Sequence, residues 1–248
     1  MKQVILVTGS SRGIGAATAL MASRRGYAVC INYRSDAAAA EQLRALIVAE
    51  GGEVIAVQAD VGVEADVLRL FAAIDVQLGP LTALVNNVGI LEQQCKLADM
   101  SAERLQRVFT TNIVSYFLCS REAVKRMSAA SGGRGGGIVN LGSGASRHGG
   151  GNVYIDYAAS KGAIDVLTLG LSKEVGAEGI RVNCVRPGII YTEIHASGGD
   201  PGRVDKLAST VPLQRGGQPE EIAETILWLL GPQSSYVSGA IIDAGGAR

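Results

Sequence analysis

"VTGSSRGIGAATA", residues 7–19, decides the fold. It sets Gly9, Gly13 and Gly15 between an apolar run, "QVILVT", and a helical pattern that begins near residue 14. A strand running into a glycine-rich turn and then a helix leaves backbone N–H groups and the positive helix end open to a pyrophosphate, where side chains would block the approach. The spacing G-x-x-x-G-x-G departs from the commoner G-x-G-x-x-G, and an ordinary tight turn reads the same way from the glycines alone. Position favours phosphate, because this is the first strand–helix turn, where a doubly wound sheet holds a dinucleotide.

Working outward, the runs "AVCIN", "EVIAVQ", "TALVN", "GIVNLG", "RVNCVR" and "GAIIDAG" join "QVILVT" as strand candidates. Their hydrophobicity is continuous rather than alternating, as in strands covered on both faces. Helical patterns fall between them at 14–25, 37–50, 64–78, 103–130, 153–177 and 219–230. Such alternation predicts an α/β chain, a single Rossmann domain over 1–248 whose parallel sheet of about seven strands carries helices on both faces. The stretch at 189–217 is long for a connection and reads as a substrate lid with a short helix inside.

Composition narrows the function classes. The 248 residues are 47% hydrophobic and 19% charged, a balance that fits a globular chain and not a disordered one. Twenty-three basic against twenty-three acidic residues leave no footprint for nucleic acid or an anionic membrane, so a small-molecule partner is expected. No segment approaches the roughly 18 apolar residues of a membrane span, and the amino terminus lacks a leader's core. Cys30, Cys95, Cys119 and Cys184 lie far apart with no C-x-x-C pair, which predicts reduced thiols in a cytoplasmic protein. His148 and His195 have no acidic cluster nearby, so no metal site is expected.

The second strand selects the dinucleotide. NAD binders place an acidic residue at its end for the ribose hydroxyls, whereas a 2′-phosphate calls for cations. Here the tip is Asn32, Tyr33 and Arg34, and Asp36 comes late enough to start a helix. Arg34, joined by Arg12 from the glycine turn, favours NADP(H), with NAD(H) as the alternative, since guanidinium geometry suits phosphate. A solvated Arg34 is the plain alternative.

The reacting end lies in "YIDYAASKG", residues 154–162. On a helix Tyr154, Tyr157 and Lys161 would share one face. Tyr157 lies about one turn from Lys161 and Tyr154 about two, so Tyr157 is the acid–base candidate and Tyr154 a packing or pocket residue. Lowering a phenol from about 10 to about 7 takes about 4 kcal/mol. A desolvated lysine together with an oxidised nicotinamide can supply that. From spacing alone, a surface Tyr/Lys pair is the better reading.

"TGSSRGIG", "NNVG" at 86–89, Asn112 in "TTNIVSYF", Ser143 in "IVNLGS", "YAASK" at 157–161 and "RPGIIYT" at 186–192 together resemble the motifs of the short-chain dehydrogenase/reductase family, in that family's order. Within it the chain looks most like glucose or sugar dehydrogenases, with 3-oxoacyl-carrier-protein reductases next. The resemblance implies that Tyr157 transfers the proton, Lys161 binds the nicotinamide ribose and depresses the phenol, Ser143 holds the substrate oxygen, and Asn112 holds a water that links Lys161 to solvent. It also implies a cofactor set: Gly9, Ser11, Arg12, Gly13, Ile14 and Gly15 on the phosphates; Tyr33 and Arg34; Asp60 and Val61 at the adenine; Asn87 and Gly89 beside the adenosine. Pro187, Gly188, Ile190 and Thr192 complete it at the carboxamide or pyrophosphate, and a homotetramer or homodimer is implied in the same way. Two departures are Val88, where alanine is usual, and Arg186, where a small residue is usual; Arg186 reads either as a surface charge or as facing the cofactor. His148, His195 and Glu193 stand where they could meet substrate. Arg147, Arg203 and Lys206 are the cations available to an acidic carrier, though they are scattered. A dinucleotide-sensing protein without turnover is the alternative from another class.

Overall fold

The computed structural model describes residues 2–247; Met1 and Arg248, the two ends of the expected domain, lie outside the described residues. Seven strands form: β1 (Gln3–Val7), β2 (Tyr27–Tyr33), β3 (Val54–Gln58), β4 (Ala83–Asn86), β5 (Gly136–Leu141), β6 (Ile180–Pro187) and β7 (Ile241–Ala244). They make one sheet in the order β3-β2-β1-β4-β5-β6-β7, and every neighbouring pair is parallel. All seven runs read from the sequence as strands are strands.

Helices fill both faces: α1 (Gly13–Arg24), α2 (Ala37–Ala49), α3 (Glu64–Gln77), α4 (Ala102–Phe109), α5 (Ser115–Met127), α6 (Ala145–His148), α7 (Ile155–Val175), α8 (Ile194–Ser197), α9 (Arg203–Ala208) and α10 (Pro219–Leu230). β1 shows why its run is unbroken. Val4 and Leu6 point into the core beneath α3 and α5, where Phe71 and Met127 pack. Ile5 and Val7 point into the opposite core, with Ala19 of α1, Ile47 of α2 and Ile226 of α10. The period-two alternation of side chains therefore feeds two cores, and of the strand's residues Gln3 alone, at its start, is exposed to water.

Three expectations need correction. The single helix expected over 103–130 is α4, then a π-helical turn at Thr110–Val114, then α5, which ends at Met127. The turn places Asn112 inward and lets the Ser115 hydroxyl donate to the Thr111 carbonyl at 2.6 Å. Tyr154 is not within α7. It is the residue that precedes the helix, with φ −157° and ψ 63°, after a turn in which Gly149 and Gly150 both take positive φ. The stretch 189–217 holds two short helices, α8 and α9, where one was expected. Among the described residues, no helix is long and apolar enough to cross a membrane.

Candidate active site

The strand order reverses between β1 and β4, and the segments leaving the carboxyl ends of β1, β2, β4, β5 and β6 open onto one cleft, as the rule for open α/β sheets requires. At the end where the glycine turn is expected to meet phosphate lie Gly9, Ser11, Arg12, Gly13 and Ile14. Gly9 and Gly13 take φ of +59° and +55°, a region that costs side chains. Gly15 lies beneath the cleft rather than lining it. A Cβ there would sit 2.5 Å from Asn87 Nδ2 and 2.8 Å from the Gly9 carbonyl oxygen. Asn87 holds the turn, its amide donating to the carbonyls of Thr8 (2.9 Å) and Gly9 (3.0 Å).

Helix α1 enters from this turn with neither a side-chain cap nor an acidic residue in its first turn. By contrast, Asp36 caps α2, Ser101 caps α4, α10 has a capping box, and α3 carries Glu64 and Asp66 in its first turn. An uncapped helix end facing a glycine cradle suits a pyrophosphate, so the residues present fit a dinucleotide.

Tyr33 and Arg34 line the cleft at the end of β2, with Asp60 and Val61 across from them. No carboxylate ends β2: Asn32 is buried, accepting from the Gly9 N–H and donating to the Ala59 carbonyl. Asp36 accepts from the Ala39 N–H, the helix-start role expected of it. Asp60 accepts from the Gly62 N–H and stands 3.8 Å from the exposed Arg34 guanidinium. Gly89, Pro187, Gly188, Ile190 and Thr192 line the far wall. Thr192 closes on the turn, since a Cβ on Gly13 would lie 3.3 Å from its methyl.

At the reacting end Ser143, Tyr157 and Lys161 share the cleft wall. Desolvation pushes the Tyr157 phenol up to about 12, and a hydrogen bond with the Ser143 side chain works against that rise. Burial lowers the Lys161 amine to about 8. That amine donates to the Leu141 carbonyl (2.7 Å) and to the Tyr116 hydroxyl (3.1 Å), and lies 5.8 Å from the Tyr157 ring centre. Desolvation is the leading influence on Tyr157 and Lys161 faces Tyr116 and the β5 backbone; the depressed phenol expected from the motif calls in addition on the charge of an oxidised nicotinamide. Asn112 is fully buried and does not line the cleft; it donates to the Ile90 carbonyl and to Ser160 and accepts from the Ile90 N–H. It fixes the loop after β4 against α7.

Sequence reasoning passed over Tyr116, which sits in the quoted "TTNIVSYF" one turn after Asn112 and was available to it. It also passed over the buried pair of Arg104 and Asp156, joined at 2.7 Å, in which the Asp156 carboxylate also accepts from the Tyr157 N–H. Arg186, left open, turns from the cofactor to Asp165 on α7 at 2.7 Å. His148 and His195 line the cleft, His148 accepting from the Gly150 N–H and His195 pairing through Nε2 with the Ile190 carbonyl. Val88 packs where a Cβ on Gly9 would come within 2.9 Å of its methyl.

The family model described as enoyl-(acyl carrier protein) reductase matches residues 9–246. The chain is 57% identical over 245 residues to an uncharacterized oxidoreductase, YgfF, of Escherichia coli, with 99% of each chain covered. It is 36% identical to a glucose and ribitol dehydrogenase homolog of rice, covering 98% of this chain and 85% of that one. A blue fluorescent protein from a metagenomic library, solved in complex with NADPH, superposes with a TM-score of 0.90 at 33% identity, covering 99% and 97% of the two chains. The chain belongs to the short-chain dehydrogenase/reductase family and is an NAD(P)-dependent oxidoreductase.

Proposed function

We propose that this enzyme is an NADP(H)-preferring oxidoreductase that interconverts an alcohol and a carbonyl in a small polar substrate of the glucose and sugar dehydrogenase kind. The observation that carries the reading is the meeting of Ser143, Tyr157 and Lys161 on the wall of the cleft that the glycine turn opens. A bound nicotinamide supplies or accepts the hydride. Tyr157 gives its proton to the carbonyl oxygen, and Ser143 donates a second hydrogen bond to the charge that develops there. Lys161, buried and cationic below about 8, holds the ribose and favours the phenolate. Asn112 keeps the loop after β4 in place behind them.

Arg34 and Arg12, with no acid at the end of β2, support NADP(H) over NAD(H). The unit reads as one dinucleotide-binding domain, with 189–217 as its lid. Buried thiols at Cys30, Cys119 and Cys184, all free, suit a cytoplasmic setting. Exposed Phe117 on α5 with Val166 and Leu169 on α7 suits pairing of these helices between subunits of a tetramer, which light scattering tests.

An acyl-carrier reductase is less well supported. Arg147 pairs with Asp243, Lys206 pairs with Asp200, and Arg203 turns into the cleft, so the three cations form no patch for an acidic carrier. The deciding experiment follows nicotinamide absorbance with NADPH and NADH across sugars, polyols, aldehydes and ketones. Turnover with NADPH in preference to NADH upholds the reading. Binding of NADPH with no turnover of any compound moves the chain to a sensing role.

A further inference from the structure

We propose that the Arg203 guanidinium and the Tyr154 hydroxyl form an oxyanion subsite at the substrate end of the cleft, so that the preferred carbonyl substrate carries a carboxylate or phosphate a few bonds from its reacting carbon. The substrate half of this statement rests on the reductase reading above; the subsite itself does not.

Arg203 stands at the start of α9 in the lid and lines the cleft, as does Tyr154. Its Nη2 donates to the Tyr154 hydroxyl at 2.6 Å, and its guanidinium carbon lies 5.3 Å from that ring's centre. The Tyr154 ring in turn meets the Tyr157 ring edge to face, centres 5.8 Å apart. One aromatic ring therefore separates the cation from the phenol assigned to proton transfer. A short substrate can span that gap.

The other partly buried arginines near the site hold carboxylates: Arg104 has Asp156 and Arg186 has Asp165. Arg203 has none within ion-pair distance among the described residues. The acids beside it in the lid are engaged elsewhere, Asp200 by Lys206 and Asp205 by the Tyr191 hydroxyl. His195 adds no cation here, being held below its ordinary value by desolvation first and by Arg203 in part. The guanidinium keeps most of its five N–H donors for a ligand. Tyr154, which accepts from Arg203, retains its own proton for the same acceptor. A planar cation and a hydroxyl side by side match the two oxygens of a carboxylate or two of a phosphate. Glu193, a carboxylate lining the same cleft, lies at the other end, near Gly13.

The test compares matched aldehydes with NADPH: 4-carboxybenzaldehyde against benzaldehyde for a carboxylate, and glyceraldehyde 3-phosphate against glyceraldehyde for a phosphate. The charged member of at least one pair is expected to have a kcat/KM at least about tenfold higher, and whichever pair responds names the oxyanion. Arg203→Met should lower that charged-to-neutral ratio by about 30-fold, in the range for loss of hydrogen bonds to a charged group. Tyr154→Phe, which breaks the same lid contact but leaves the guanidinium, should lower it less than tenfold. If both substitutions slow charged and neutral aldehydes alike, Arg203 is a lid latch only and the proposal is wrong. Calorimetry of 4-(hydroxymethyl)benzoate and of glycerol 3-phosphate with the NADPH-loaded protein needs no turnover. Tenfold or greater weakening of either by Arg203→Met upholds the subsite even if no aldehyde is reduced, in which case the reductase reading alone fails. Neither compound binding, or binding indifferent to the substitution, overturns the subsite.

Discussion

The two ends of the cleft are built by opposite means. The phosphate end is backbone: Gly9 and Gly13 in left-handed conformations, Gly15 against Asn87, and an uncapped α1. Its three glycines lie within the seven residues 9–15, and their role depends on the absence of side chains. The end proposed to hold substrate is side chains from distant segments: Ser143 after β5, Tyr154 and Tyr157 around the start of α7, Arg203 from the 189–217 stretch. Dinucleotide binding can thus be carried by a local motif, because every dinucleotide presents the same pyrophosphate, whereas substrate choice is delegated to contacts that differ from one lid to the next.

Substitutions at each end sharpen the contrast. The largest effect is expected from Tyr157→Phe, which should cut turnover about 10³-fold while NADPH affinity by calorimetry stays within a few-fold; Tyr154→Phe should keep most activity toward neutral substrates. Equal losses from the two would mean that the reacting end is not organised around Tyr157.

Next comes Lys161. Its folded value of about 8 lies below its ordinary 10.5, so the folded chain holds fewer protons than the unfolded one between those limits. The stability of the native protein relative to Lys161→Met should therefore be flat below about pH 8. It should rise, by on the order of 3 kcal/mol in all, as pH climbs toward 10.5. Chemical denaturation of both proteins at pH 7 and pH 10 measures this; a difference independent of pH would show that the amine is not desolvated.

At the phosphate end Arg34→Ala should weaken NADPH by about 2 kcal/mol and NADH hardly at all. An unchanged preference would remove Arg34 from the 2′-phosphate. The smallest effect is expected where Thr192 closes on the glycine turn: Gly13→Ala strains a positive φ and presses on Thr192, at about 1 kcal/mol. That should lower Tm by about 2–4 °C in a chain of this size. No change in Tm would show that the turn relaxes freely and that the lid does not bear on it.

Much of this was legible beforehand, and what was missed shares a cause. The strands showed themselves because β1, β2, β4 and β6 are covered on both faces, so their apolar runs are continuous. The break at Thr110–Val114 was invisible because a π turn inserts into a helical pattern without altering residue type; the turn carries Asn112, which bonds to Ile90, 22 positions away. Tyr154 was placed on the helix because its spacing from Tyr157 and Lys161 fits one. The turn at Gly149 and Gly150 instead delivers it just ahead of the helix in non-helical backbone, its ring edge-on to Tyr157. Lys161 lies over the Tyr157 ring as its spacing suggested, but what the sequence did not show is that a buried amine needs acceptors, here the Leu141 carbonyl and the Tyr116 hydroxyl.

By itself the sequence determined the order of strands and helices, the glycine turn and the cations after β2, which follow from local rules of hydrophobic periodicity, backbone freedom and residue chemistry; the Ser–Tyr–Lys set was pointed to by the family resemblance and not by spacing alone. Only the tertiary structure decided that Arg186 turns to Asp165, that Asn112 braces a loop, and that Arg203 meets Tyr154 without a carboxylate of its own. Those are distances between segments tens of residues apart, set by how the two cores pack, and no local pattern encodes them.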